Sequence, residues 1–187
     1  MTYPDPADLA QWLGVDAENP NVVWCIESAA DAVEKACGRT FRAVTDPEQR
    51  TYLTRHFHGR TFVDVDDVMT ADGLLVEVDG VEVTSFTLLP PNAAQRGKPW
   101  TQVELPMGTH GWVAVTGRWG WTETEIPSAI RIATVITAAR LYDRRQNVAG
   151  SLSEQRIDDV ESTWRVSALD TDVEILVAPY RRIWAAI

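Results

Sequence analysis

Apolar residues recur along this chain with two periods. Over residues 5–37 and again over 126–148 they return every three to four positions, the helical spacing, and between about 50 and 120 they alternate. The first helical stretch, 5–13, carries Leu9, Trp12 and Leu13 and is closed by Gly14. A second, about 22–37, presents Val22, Cys25, Ile26, Ala29, Ala30, Val33 and Cys37 on one face, with Asn21 as its expected cap and Gly38 just past its end. The alternating region predicts strands at 51–57, 61–65, 73–78, 86–89, 102–105 and 112–116. Asp79-Gly80, between two apolar runs, marks a tight hairpin. Residues 92–99 read as a polar loop.

The stretch 126–148 is apolar on two sides. Ala129, Ile130, Ala133, Thr137 and Leu141 share one, and Ile132, Val135, Ile136, Ala139 and Tyr142 cover another. Pro127 suits a first turn, and Arg144 and Arg145 suit the C-terminal end of the dipole. A helix with so little polar face is expected to be covered on more than one side. Ile132, Val135, Ile136, Ala139 and Tyr142 are therefore candidate interface residues, with at least one of Val135 and Ile136 expected to be buried. Arg131 and Arg140 interrupt the run, which is also too short for a bilayer span. Beyond Gly150 and Ser151, residues up to 166 fit a strand or an arm. Residues 172–187 read as a helix, kinked at Pro179, with Val173, Leu176, Tyr180, Ile183 and Trp184 on one face and Arg181 and Arg182 as polar anchors. This segment either docks on a partner or completes the subunit's own helices. The expected architecture is α+β: a small helical bundle around a long central helix, with an inserted antiparallel β region and a C-terminal arm and helix.

Composition narrows the picture. At 45% apolar residues the chain is globular, and a net charge of −10 argues against a general nucleic-acid binder. Cys25 and Cys37 fall twelve positions apart in one predicted helix, about 18 Å, beyond disulfide reach. They read as small core residues in a reducing compartment. The N-terminus has neither a charged nor an apolar leader pattern, so no signal peptide is expected.

Candidate chemistry is thin. His56 and His58 would share one strand face and could bind zinc if His110, Asp64, Asp66 or Asp67 supplied a third ligand. The simpler account is surface histidines. Asp64, Asp66 and Asp67 lack the twelve-residue calcium-loop pattern. No nucleophile elbow, phosphate loop or dinucleotide fingerprint occurs. No catalytic residue, metal ligand or cofactor is therefore expected, and folding should be independent of zinc and calcium. Among eight tryptophans, Trp119 and Trp121 alternate, so they are either an exposed stacking platform or a cover for the junction of sheet and central helix. The acids Glu154, Asp158, Asp159 and Glu161 read as a solvated face or as an electrostatic contact with a basic neighbour.

The order of several motifs resembles the gp6-like head–tail connector, or adaptor, proteins of long-tailed phages. An acidic helix ends in Ala36-Cys37-Gly38-Arg39-Thr40-Phe41, and a strand–Asp79-Gly80–strand unit follows. A further strand runs into Gly117-Arg118-Trp119-Gly120-Trp121, and Ile126-Pro127-Ser128-Ala129-Ile130 opens the long helix ending Leu141-Tyr142-Asp143-Arg144-Arg145. Ser153-Glu154-Gln155-Arg156-Ile157-Asp158-Asp159 and Leu176-Val177-Ala178-Pro179-Tyr180-Arg181-Arg182 complete the series. Asp158 stands where related proteins often carry glycine. The resemblance implies one connector domain over 1–187, divided into N-terminal helices (1–40), a β insert (50–120), the central helix (126–148) and a C-terminal arm and helix (151–187). It implies a structural virion protein, made in the host cytoplasm and placed at the head–tail junction. Its partners would be copies of itself, in a dodecameric ring, the portal protein, and a head-completion, stopper or tail-completion protein. DNA would pass through the channel without sequence-specific binding, and no membrane is involved. The alternative class is a small β-containing binding module of a phage tail or cell surface, carbohydrate-directed through the tryptophans.

Overall fold

The computed structural model describes residues 3–122, 124–146, 154–157, 160–163 and 170–182, with 154–157 and 160–163 described by their backbone alone. Two compact units emerge: residues 39–126, and the described residues of 2–38 and 127–187.

The sheet unit holds β1 (Glu48–Phe57), β2 (Arg60–Val68), β3 (Leu75–Val78), β4 (Val81–Glu82), β5 (Thr87–Leu89), β6 (Trp100–Leu105) and β7 (Trp112–Gly117). All pairings are antiparallel, in the order β4-β3-β7-β1-β2-β6-β5. Two turns use left-handed backbone: Asp79-Gly80 joins β3 to β4 at φ 52° and 77°, and His58-Gly59 joins β1 to β2 at φ 49° and 74°. The two long strands give the sheet its curl. The first half of β1 pairs with β7, from Glu48↔Gly117 to Leu53↔Trp112, and its second half pairs with β2, from Thr54↔Val63 to Phe57↔Arg60. At the other end of the sheet a bridge joins Val68 to Trp119. Alternate positions turn inward, so Val63, Val65, Val68, Val76, Val103, Leu105, Val113, Val115 and Trp119 form one core cluster. Each fully buried valine among them contributes roughly 1.5–3 kcal/mol by leaving water.

In the helical unit, α1 (Pro6–Leu13) starts at Asp5, whose carboxylate accepts from the Asp8 N–H at 3.0 Å, and ends at left-handed Gly14. The next helix, α2 (Pro20–Cys37), is capped by Asn19 rather than Asn21, because Pro20 fits the first helical position and the Asn19 side chain accepts from the Asn21 N–H at 3.0 Å. The long helix is α3 (Ser128–Gln146), and α4 (Thr171–Val177) passes into a single 3-10 turn, Ala178–Tyr180, at Pro179. Leu9, Ala10, Val22, Cys25, Ile26, Ala29, Ala138, Ala139 and Tyr142 form the shared core of α1, α2 and α3, while α4 buries Val173 and Val177 completely. A short hairpin pairs β8 (Glu154–Ile157) with β9 (Val160–Thr163).

These observations overturn the expected architecture. The chain is mostly a curled, half-barrel antiparallel sheet of seven strands, plus four helices, and is not a helical bundle around a long central helix. The strands β1 to β7 run from Glu48 to Gly117, within the compact unit of residues 39–126. The physical reason lies in α3 itself, where Ile132 is exposed and Val135 and Ile136 are only half-buried. Its second apolar side therefore does not organise the chain, whereas the alternating valines of four strands, β2, β3, β6 and β7, do.

Candidate functional site

The candidate interface residues fall into three groups. Ala139 and Tyr142 are buried in the helical core, and Val135 packs partly buried against the same cluster. Val173 is fully buried, Leu176, Tyr180 and Ile136 are half-buried, and Arg182 is tied in through its N–H to the Cys37 carbonyl at 2.7 Å. Ile132 and Arg181 face solvent, while Ile183 and Trp184 lie outside the described residues. The acids 154, 158, 159 and 161 have no described side chains.

The helices leave further apolar residues in solvent, and the sheet unit does the same at Leu53, Phe57, Val81, Met107 and Trp112. Trp12 on α1 is 63% exposed, Trp24 on α2 50% and Ile175 on α4 67%, beside Ile132 of α3 at 47%. Trp24 had a readable signal, since it lies off the face shared by Val22, Cys25, Ile26 and Ala29. The Arg145 guanidinium sits over its ring at 5.2 Å, a cation–π contact at the C-terminal end of α3. Burial pushes the Cys25 thiol up, with Arg145 opposing, so this cysteine is an inert core residue.

The sheet unit contains two polar clusters. Where β1 leaves β2, Asp66 accepts from Arg50 at 2.8 Å and from the Tyr52 hydroxyl at 2.9 Å. The Arg50 guanidinium covers the Trp119 ring at 4.8 Å, Tyr52 meets that ring edge-on, and the indole N–H donates to the Glu48 carbonyl at 2.8 Å. Burial works against the Arg50 charge, but bonds to Glu48 and Asp66 outweigh it. Burial, reinforced by the Asp66 charge, pushes the Tyr52 phenol far above its usual range, so it stays protonated and serves as a donor rather than as a base. In the second cluster Asp67, 3% exposed, accepts from the Trp121 indole at 2.9 Å and faces Arg39 at 3.6 Å. Trp121 also packs on Phe41 with ring centroids 5.6 Å apart. Gly120 lies at φ 93°, and a Cβ there would collide with the Arg42 carbonyl. Thus, within the sheet unit, Phe41 meets Trp121, Arg39 and Trp121 share Asp67, and Arg42 lies against Gly120.

This geometry corrects two expectations about ligands. The exposed-platform reading of Trp119 and Trp121 fails, since they are 1% and 2% exposed. The three aspartates that superficially suggest calcium go to different partners: Asp64 to Gln102 and Arg55, Asp66 to Arg50 and Tyr52, Asp67 to Trp121 and Arg39. His58, in the β1–β2 turn, does not share a strand face with His56; His110 meets His56 instead. Among the described residues no group of three or more His, Cys, Asp and Glu side chains is arranged to hold a metal ion. No described helix is long and apolar enough to cross a membrane.

The polar clusters are structural anchors, while several large apolar residues, among them Trp12, Trp24, Ile132 and Ile175, are left open to solvent. No protein-family model matches the chain, and no curated protein matches it either.

Proposed function

We propose that this chain is a structural virion protein, a head-to-tail connector that assembles as a ring beneath the portal and extends the DNA channel toward the tail. The observation that carries this reading is the set of apolar residues left in solvent on all four helices: Trp12, Trp24, Ile132 and Ile175. Tryptophans on a surface are among the anchors by which protein interfaces gain most of their energy, and neighbouring apolar contacts exclude water around them. The acidic balance of −10 favours a lumen through which DNA slides without being held. The order of motifs quoted above supports the same reading, and two of them, Arg39 to Phe41 and Trp119 to Trp121, pack together in the sheet unit. On this reading the partners are a second copy on either side, the portal protein, and a head-completion or tail-completion protein. The chain would act at the head–tail junction of the virion and would not be an enzyme. The carbohydrate-directed alternative loses the tryptophan platform on which it rested.

The test is electron microscopy of the purified chain, alone and mixed with its portal protein. An annular density added to the portal ring is the expected result. A chain that stays monomeric and leaves the portal particle unchanged at micromolar concentrations of both proteins defeats the proposal.

A further inference from the structure

His56 and His110 come together although 54 positions separate them. His56 lies near the end of β1, directly opposite Thr61 of β2. His110 lies in the loop before β7. That loop is fastened to β1 twice: the Thr54 N–H donates to the Gly111 carbonyl at 3.1 Å, and the Gly111 N–H donates to the Thr54 hydroxyl at 3.1 Å. Both imidazoles face solvent, with ring centroids 4.4 Å apart. The Nε2 of His56 and the Nδ1 of His110 are 3.0 Å apart.

We infer that these two imidazoles form a bidentate site for a divalent transition ion of the imidazole-preferring class: copper, nickel or zinc. Three features carry this. The first is spacing. Two nitrogens at about 2.0–2.1 Å from one metal are roughly 2.9 Å apart at a right angle and roughly 3.3 Å apart at the tetrahedral angle. The observed 3.0 Å falls between these values. A modest rotation of two exposed rings turns both lone pairs onto one point. The second is support from behind. The other nitrogen of His56, Nδ1, is 3.1 Å from the hydroxyl of Thr61, which is 1% exposed. When Nδ1–H donates to that hydroxyl, the Nε2 lone pair is left facing His110. A metal-ligating histidine is ordinarily oriented by just such a bond from its second nitrogen. The third is the rigidity of the loop that carries His110, since a site whose ligands are already in place binds without ordering cost.

Without metal, the same contact is an N–H···N hydrogen bond. Metal entry requires His110 to carry its proton on Nε2 instead of Nδ1, a tautomer shift through solvent with no net proton release, and the remaining coordination positions are taken by water. Such a site is separate from the fold's anchors, so folding does not depend on its being loaded.

The experiment titrates the full chain with copper(II), read by calorimetry and by electron paramagnetic resonance. One equivalent with a two-nitrogen hyperfine pattern is expected. His56→Ala and His110→Ala should each weaken binding by at least about tenfold, and Thr61→Val by roughly tenfold through loss of the orienting bond. His58→Ala removes the chain's third histidine and should leave affinity unchanged. Matching circular dichroism and melting curves show that each variant is folded. Absence of binding by the unaltered chain, or binding that survives His110→Ala, overturns the inference. So does loss of binding in His58→Ala.

Discussion

The sheet unit buries two tryptophans completely, whereas the helical unit buries none of those described. In the sheet unit Trp119 and Trp121 are buried, and each indole N–H has an acceptor, the Glu48 carbonyl and the Asp67 carboxylate. In the helical unit the core is built of small and medium residues such as Ala29, Ala138, Val22 and Cys25, and its two described tryptophans, Trp12 and Trp24, are left in solvent, as Trp112 is in the sheet unit. Burying an indole contributes much apolar area but obliges the fold to satisfy its N–H. The sheet unit meets that demand with fixed strands and a left-handed glycine. The helical unit leaves the demand to water, or to whatever covers it. The difference separates residues held for stability from residues available for association.

Ending the chain at Gly150 is the severest way to break this comparison. It removes α4 and with it Val173 and Val177, both fully buried. The expected loss is roughly 3–6 kcal/mol, confined to the helical unit. Hydrogen exchange should show α2 and α3 amides losing protection while those of β1, β2 and β7 keep theirs. Equal loss in both would mean that the units unfold as one block, and the contrast drawn here would collapse.

Trp119→Ala comes next. Removing this buried indole should cost about 3–5 kcal/mol, seen as a lower urea midpoint for the sheet transition. Trp24→Ala, on the helical surface, should change stability by less than about 0.5 kcal/mol. Comparable costs at the two sites would contradict the assignment of one to a core and the other to a surface.

Tyr52→Phe is smaller, about 1–3 kcal/mol, because it removes a hydroxyl donated to a charged acceptor. It also carries a pH signature. The folded-state phenol titrates well above its unfolded value of about 10, so its contribution is complete below pH 10 and is lost as pH rises through the raised value. The native chain should therefore lose sheet stability above about pH 10 more steeply than Tyr52→Phe. Parallel curves would place the alkaline sensitivity elsewhere. The smallest effect on stability is expected from Ile132→Asp and Ile175→Asp, within about 0.5 kcal/mol of the parent. Sedimentation should nonetheless show reduced self-association, and unchanged ring formation by both would remove these residues from the interface.

Much of the local structure was legible because it depends on neighbours in sequence. Gly14 and Gly38 close α1 and α2 as left-handed caps, and Asp79-Gly80 turns β3 into β4. The His58-Gly59 turn was missed, since histidine is an uncommon residue at positive φ and its flanks continue the alternating pattern. This error put His56 and His58 on one face and concealed the approach of His110. Asp67 was weighed only as a metal ligand and its burial was missed, because an acid in phase with Val63 and Val65 looks like a solvent position until Trp121 and Arg39 are seen to reach it. The weight of the whole fold was misjudged for a related reason. A helix such as α3 advertises itself within one continuous segment, whereas the sheet depends on pairings such as Glu48↔Gly117 that no local pattern displays.

The interrupted helical unit also has a consequence for synthesis. Its first part precedes the sheet in the chain and its second part follows it. As the ribosome delivers the polypeptide, Leu9, Val22, Cys25 and Ile26 emerge long before Ala138 and Tyr142, the residues that will cover them. At about 5–20 residues per second the interval is on the order of 5–20 seconds. The sheet unit is contiguous and can complete itself within that interval, once Gly117 has reached Glu48. During the wait α2 presents a naked greasy stripe to solvent, and the exposed Glu27, Asp31 and Lys35 on its other side are what the nascent chain has to keep it from sticking.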